Sequence, residues 1–253
     1  MIKKASLLFN TVKHLKPIQV FYQLKYRLIK AGTLNDYDKF YLADNVSLLL
    51  FAKQPPVYLS YLGGNRFVFL NQEVQFDSEI DWDYQENGKL WNYNLQYANW
   101  LLQDDVSFEE KLRLLGSLYE WLNNGQLALE PYPVSLRVIN VMRLFSHESK
   151  QDGTILANTY AELDFLSKRP EYHLLGNHLL ENAFALMMGG AFFSNVAWLV
   201  QGQSILKKEL EEQILFDGAH FELSPMYHQI IFFRLLELID WFSNWSEKNN
   251  SFE

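Results

Sequence analysis

The sequence contains no cysteine, which removes disulfides, zinc–thiolate sites, iron–sulfur clusters and cysteine nucleophiles from consideration. Glycine (12) and proline (7) are sparse over 253 residues, so collagen-like repeats and low-complexity linkers are excluded for most of the length. Basic residues are short too: 22 Lys and Arg stand against 30 Asp and Glu, a formal charge of −8. A nucleic-acid binder needs a concentrated basic face to displace counterions, so no nucleic-acid partner is expected. No apolar run approaches the ~20 residues of a membrane span, so stable membrane insertion is not expected either. The opening apolar stretch Ala5–Phe9 is broken by Asn10, Lys13 and His14, short of a signal-peptide core of ~7–15 residues. By sequence alone the chain reads as cytoplasmic.

Chemical signatures are also missing. There is no glycine-rich phosphate loop, no His-Glu-x-x-His helix and no Gly-x-Ser-x-Gly turn. His173 and His178 are five apart, a poor spacing for a metal on one helical face, and nothing demands that His220 and His228 join one. No cofactor and no metal are expected.

What the sequence has is apolar and aromatic mass: 49% hydrophobic residues, with 7 Trp, 14 Tyr and 19 Phe. Residues 1–30 alternate basic and apolar groups at helical spacing and are split by Pro17, predicting two short basic amphipathic helices. Such helices either lie on a membrane surface or pack their apolar face on the domain. Val57–Leu62, Gly63-Gly64-Asn65 and Arg66–Leu70 predict a β-hairpin within 56–70. From Trp91 on, three- and four-residue apolar steps predict helices at 92–103, 108–123, 133–147, 154–168, 172–192, 194–201, 203–216 and 225–245. Asn123-Asn124-Gly125 reads as a helix end, and Pro133 and Pro225 as helix starts. Short connections imply stacked antiparallel hairpins. The chain thus divides into a lead-in (1–90), a helical body (91–245) and a polar tail (246–253).

Polar residues break this pattern in four places. The helix from Tyr172 is apolar nearly all round in its second half, yet its first half carries Asn177, His178, Glu181 and Asn182 over adjacent turns. Burying these groups costs several kcal/mol unless each finds a partner, so they form either a satisfied network or a wet pocket. Asp217–His228 contains a turn (Asp217-Gly218) and a helix start (Ser224-Pro225), which puts Tyr227 in the first turn, near the positive end of the helix dipole. Glu130–Arg137 sets an acid, an aromatic and an arginine around another helix start. Trp91–Tyr97 packs aromatics with amides, a combination that suits sugar rings and aromatic cores alike.

These four segments, in this order, resemble the N-terminal helical domain of the heparinase II/III family of polysaccharide lyases. The resemblance implies a mainly α fold, an incomplete α/α toroid of helical hairpins with one short β-hairpin near the N-terminus. It implies β-elimination on a uronic-acid-containing, acidic polysaccharide. Asn177 matches the family residue that binds the substrate carboxylate, His178 a histidine that assists it, and Tyr227 the general base and acid. Tyr93, Asn94, Glu130, Tyr132, Arg137, Glu181, Glu222 and His228 are the expected substrate contacts. The chain departs from the family pattern at Gln96, Ala219 and Leu223. Members carry a β-sandwich domain after the helices, and no strand-rich region follows residue 245, so weak or no activity is expected in its absence. Any family metal belongs to that second domain, and family members are periplasmic. The alternative is a non-catalytic glycan-binding or capsule/exopolysaccharide assembly protein.

Overall fold

The computed structural model describes residues 15–29, 34, 40, 42, 59–147 and 150–246. Among these the chain is mainly helical, with one small antiparallel sheet. The first predicted amphipathic helix lies outside the described residues. The second is α1 (Pro17–Leu28), opened by Pro17 at its first position.

The expected hairpin is displaced by one strand. Gly63, Gly64 and Asn65 do turn the chain, all with positive φ, and Val68 N–H reaches the Ser60 carbonyl at 2.9 Å. Among the described residues a single bridge, Tyr61 to Phe67, forms on that side. The ladder proper joins β1 (Arg66–Phe69) to β2 (Gln72–Gln75). Its turn is Leu70-Asn71, both left-handed at φ 52° and 60°, the twist that two-residue hairpins require. Leucine there hid the turn from a reading based on glycine. Residues 56–58 of the expected span lie outside the described residues.

Seven helices follow: α2 (Lys89–Gln96), α3 (Phe108–Asn123), α4 (Pro131–His147), α5 (Gly153–Lys168), α6 (Gly176–Phe192), α7 (Val196–Gln213) and α8 (Pro225–Ser246). Side chains cap several starts: Ser107 accepts from Glu110 N–H, and Asp152 from the Thr154 and Ile155 amides. These bonds satisfy donors that the helix itself cannot. Several boundaries differ from expectation. The start expected at Pro133 lies two residues earlier, at Pro131, which takes the first helical position where a missing N–H costs nothing. The helix expected over 92–103 stops at Gln96; left-handed Ala98 (φ 57°) leads into a 3₁₀ turn, Asn99–Leu102. The helix expected from Tyr172 starts four residues later, after left-handed Leu175 (φ 63°). The two helices expected at 194–201 and 203–216 are one, α7, running through Gly202.

Gly202 belongs inside a helix because of its neighbours. A Cβ there would meet Met187 Cγ at 2.6 Å and the Ala183 carbonyl at 2.8 Å. Gly190 is equally tight against Leu199 and Asn195. These contacts make α6 and α7 an antiparallel pair packed almost backbone to backbone, with α6 buried along most of its length.

Alternate helices run parallel. Arg234 Nε donates to Glu181 at 2.9 Å, and one heptad later Trp241 Nε1 donates to the Met188 carbonyl at 3.2 Å. The constant offset between partners means that α6 and α8 point the same way. Ser135 and Tyr132 of α4 meet Asn182 and His178 of α6 in the same sense. The first turns of α4, α6 and α8 therefore open at one end of the body.

Candidate active site

Each first turn delivers one of the singled-out side chains: Tyr132 from α4, Asn177 and His178 from α6, Tyr227 from α8. Asn177, His178, Tyr132 and Tyr227 are all half-buried. His178 stacks on Tyr132 with ring centroids 4.2 Å apart. The ring of Tyr227 lies 6.3 Å from that of His220.

A row of aromatic rings leads away from this point. Tyr97 meets Tyr132 at 5.9 Å, and Tyr93 meets Tyr97 at 6.2 Å. The Tyr93 hydroxyl donates to Glu130, which also takes Lys89 Nζ at 2.9 Å. Burial, reinforced by neighbouring acids or phenols, pushes the phenols of Tyr93, Tyr97 and Tyr132 well above the ordinary tyrosine range. These three remain neutral donors and stacking surfaces rather than bases.

His178 is held from behind. Its Nδ1 lies 3.3 Å from Glu171 Oε1, and a carboxylate acceptor there keeps the proton on Nδ1 and leaves Nε2 as the ring's acceptor. Glu171 is itself buried and pinned: Asn182 Nδ2 donates to its carboxylate at 3.2 Å, and Asn182 Oδ1 accepts from its backbone N–H at 2.7 Å. Asn182 also donates to Ser135 at 2.9 Å. Of the four polar residues grouped on the α6 sequence, Asn182 is part of a satisfied network, whereas Asn177 and His178 remain partly exposed. Glu181 goes to a different place. It is buried against Arg234, within a cluster that continues to Glu237 and Arg143.

Arg137, expected on a groove wall, is 1% exposed. Its guanidinium is spent on Glu162 and on the Gln96 carbonyl (2.9 Å). Asn94 bonds back to the Leu90 carbonyl of its own helix at 2.8 Å. Glu222 and His228 are exposed beside the start of α8. His228 lines a cavity of about 600 Å³ with Asp217, His220 and Ser224.

His220 connects this loop to α6. Nε2 sits 3.1 Å from Gln213 Oε1, and Nδ1 accepts from the Glu222 N–H at 3.4 Å, the pattern of a neutral ring. Gln213 donates to Glu209 at 3.0 Å, and Glu209 accepts from the backbone N–H of Gly176. The acid thus occupies one free donor at the α6 N-terminus, where the helix field favours negative charge. Sequence reasoning missed Glu171, Glu209 and Gln213. None sits in a motif, and their roles arise from contacts between separate elements. Tyr97 stood in a segment already noted for its aromatics. Among the described residues, no group of three His, Asp or Glu side chains is placed to hold a metal ion.

Residues 135–251 match the family model described as heparinase II/III N-terminus. The chain is 27% identical over 166 residues to a heparin-sulfate lyase of Bacteroides stercoris, and 28% identical over 155 residues to one of Pedobacter heparinus. Each alignment covers 57% of this chain, and 24% and 21% of the relative respectively. A heparin-sulfate lyase of Bacteroides thetaiotaomicron is 38% identical over 80 residues, 30% of this chain and 11% of the relative. The matched region spans a quarter or less of each relative's length. No solved structure matches the chain significantly.

Proposed function

The chain belongs to the heparinase II/III family, and from that membership we propose that it forms the helical part of a polysaccharide lyase. The substrate is an acidic, uronate-containing polysaccharide, cleaved by β-elimination. The observation that supports this reading is that Tyr132, Asn177, His178 and Tyr227 stand in the first turns of three parallel helices, with His178 packed on Tyr132.

The chemical obstacle is the C5 proton of the uronate, which is weakly acidic while the adjacent carboxylate keeps its charge. Asn177 is a donor in the first turn of α6, where the helix field also favours the carboxylate and the negative charge that grows on it. With its Nδ1 proton held by Glu171, His178 offers Nε2 as an acceptor that assists proton removal. Tyr227 removes the C5 proton and returns a proton to the departing O4, which a single phenol accomplishes when both lie on one face of the sugar. The neutral phenols of Tyr132, Tyr97 and Tyr93 offer apolar faces and hydroxyl donors to successive sugar rings. In this reading the helices form an incomplete α/α toroid, the groove is completed by a second domain, and the protein works where extracellular or capsular glycan is met.

Elimination leaves a C4–C5 double bond conjugated with the carboxylate, which absorbs in the near ultraviolet; hydrolysis leaves none. Incubation with uronate polysaccharides should raise that absorbance. Glycan binding without any unsaturated product, in a chain that includes the family's second domain, would replace the enzyme by a binding or assembly protein.

A further inference from the structure

We propose that α1 is a docking surface for an anionic lipid bilayer, lying in the headgroup layer and not crossing it. The proposal is independent of the lyase reading and rests on how α1 is mounted. One face is committed to the body. Tyr26 Oη donates to the Pro170 carbonyl at 2.8 Å, Gln19 Nε2 to the Leu174 carbonyl at 3.2 Å, and Tyr22 packs on Tyr172 at 4.7 Å. Lys16 pairs with Glu212, and Arg169 donates to the Ile29 carbonyl at 2.8 Å while covering the Tyr26 ring. The helix is therefore fixed in rotation.

The opposite face is apolar and open. Phe21, Leu24 and Leu28 follow the i, i+3, i+7 spacing of a single stripe and are 61%, 57% and 85% exposed. A helix anchored by tyrosines on one side has no folding reason to carry this stripe toward water. Lys25 and Arg27 flank it: Arg27 is exposed, and Lys25, whose Nζ rests 5.2 Å over the Tyr22 ring, has a flexible stem that can swing to a phosphate while the apolar groups enter the acyl boundary.

Charge selects the occupant. Residues 1–30 contain seven Lys and Arg and no Asp or Glu, leaving 15 basic against 30 acidic residues for the rest. This asymmetry of the sequence favours an anionic surface for the segment that contains α1. An acidic polysaccharide would use the charges but has no use for a stripe that includes the aliphatic side chains of Leu24 and Leu28.

The test uses the full chain with vesicles of phosphatidylglycerol and phosphatidylcholine, compared with phosphatidylcholine alone. Co-sedimentation should occur with the anionic vesicles and weaken as salt rises. Lys25→Glu with Arg27→Glu should reduce partitioning by at least about fivefold for each basic charge lost. Phe21→Ser, Leu24→Ser and Leu28→Ser together should reduce it by more than about tenfold. Because the chain has no cysteine, Leu28→Cys can carry a single polarity-sensitive fluorophore without disturbing the anchored face. Its emission should shift to the blue on anionic vesicles, whereas a label on Gln72→Cys, at the hairpin, should not respond. No association with anionic vesicles, equal association with neutral ones, or an unshifted Leu28 label would overturn the proposal. So would retention on immobilised acidic polysaccharide that tracks the charges while the serine variants bind vesicles normally.

Discussion

Arg234 stands between Glu181 and Glu237, with Nε 2.9 Å from the first carboxylate and Nη1 2.6 Å from the second. Burial alone would depress the guanidinium, but the two acids together hold it above its ordinary range. Glu237 also pairs with Arg143 of α4. Two acids and two bases therefore tie α4, α6 and α8 together beneath the turns that carry Tyr132, Asn177, His178 and Tyr227. Burial, opposed by Arg234, raises the Glu181 carboxyl above the usual range.

Arg234→Met leaves two buried carboxylates sharing Arg143. Removing one partner from such a network typically costs about 3–5 kcal/mol. Chemical denaturation should show a loss of that order; a loss under about 1 kcal/mol would mean that apolar contacts alone hold α8 in register.

Tyr227→Phe keeps the ring and removes the proton carrier. In an active lyase, turnover should fall by about 10²–10⁴-fold, the usual contribution of a general acid–base group, with binding retained. Asn177→Ala should also slow turnover, because the carboxylate then keeps more of its charge. Intact turnover in Tyr227→Phe would assign the base elsewhere.

Glycines separate by surroundings. In Gly190→Ala the new Cβ would sit 2.8 Å from Leu199 N and 2.9 Å from the Asn195 carbonyl, atoms that cannot step aside. Overpacking of this kind costs about 1–3 kcal/mol. Gly116 in α3 has nothing within 4 Å of a Cβ, so Gly116→Ala should gain about 0.5–1 kcal/mol from helix propensity. Paired melting curves should move in opposite directions.

Burial lowers the pKa of His220 and of His173 below the ordinary imidazole value of 6.5. Unfolded rings take up protons near pH 6.5 while the folded ones resist, so their contribution is complete above that pH and declines as pH falls below it. Glu181 and Glu209, raised by burial, act in the opposite sense at lower pH, so the histidine part is read by difference. His220→Gln should show a shallower loss of thermal stability between about pH 6.5 and 5 than the parent chain. Parallel pH profiles would show that His220 does not contribute.

Sequence alone determined the elements governed by local rules. Apolar steps of three and four residues marked the helices after Trp91, Ser224-Pro225 marked the start of α8, and Asn123-Asn124-Gly125 marked the end of α3, because each depends on backbone preferences within a few positions. It also singled out Asn177 and His178, since polar groups on an apolar helix are visible without coordinates, whereas Tyr132 and Tyr227 drew their expected roles from the family resemblance. Tertiary structure decided what local rules cannot reach. Gly202 continues α7 because α6 packs where a side chain would stand, and Leu70-Asn71 turns the hairpin because the sheet's twist overrides a leucine's preference. Arg137 is consumed by Glu162 and Glu181 by Arg234, because a buried charge must find its opposite, and only the packing of distant helices determines which opposite is near.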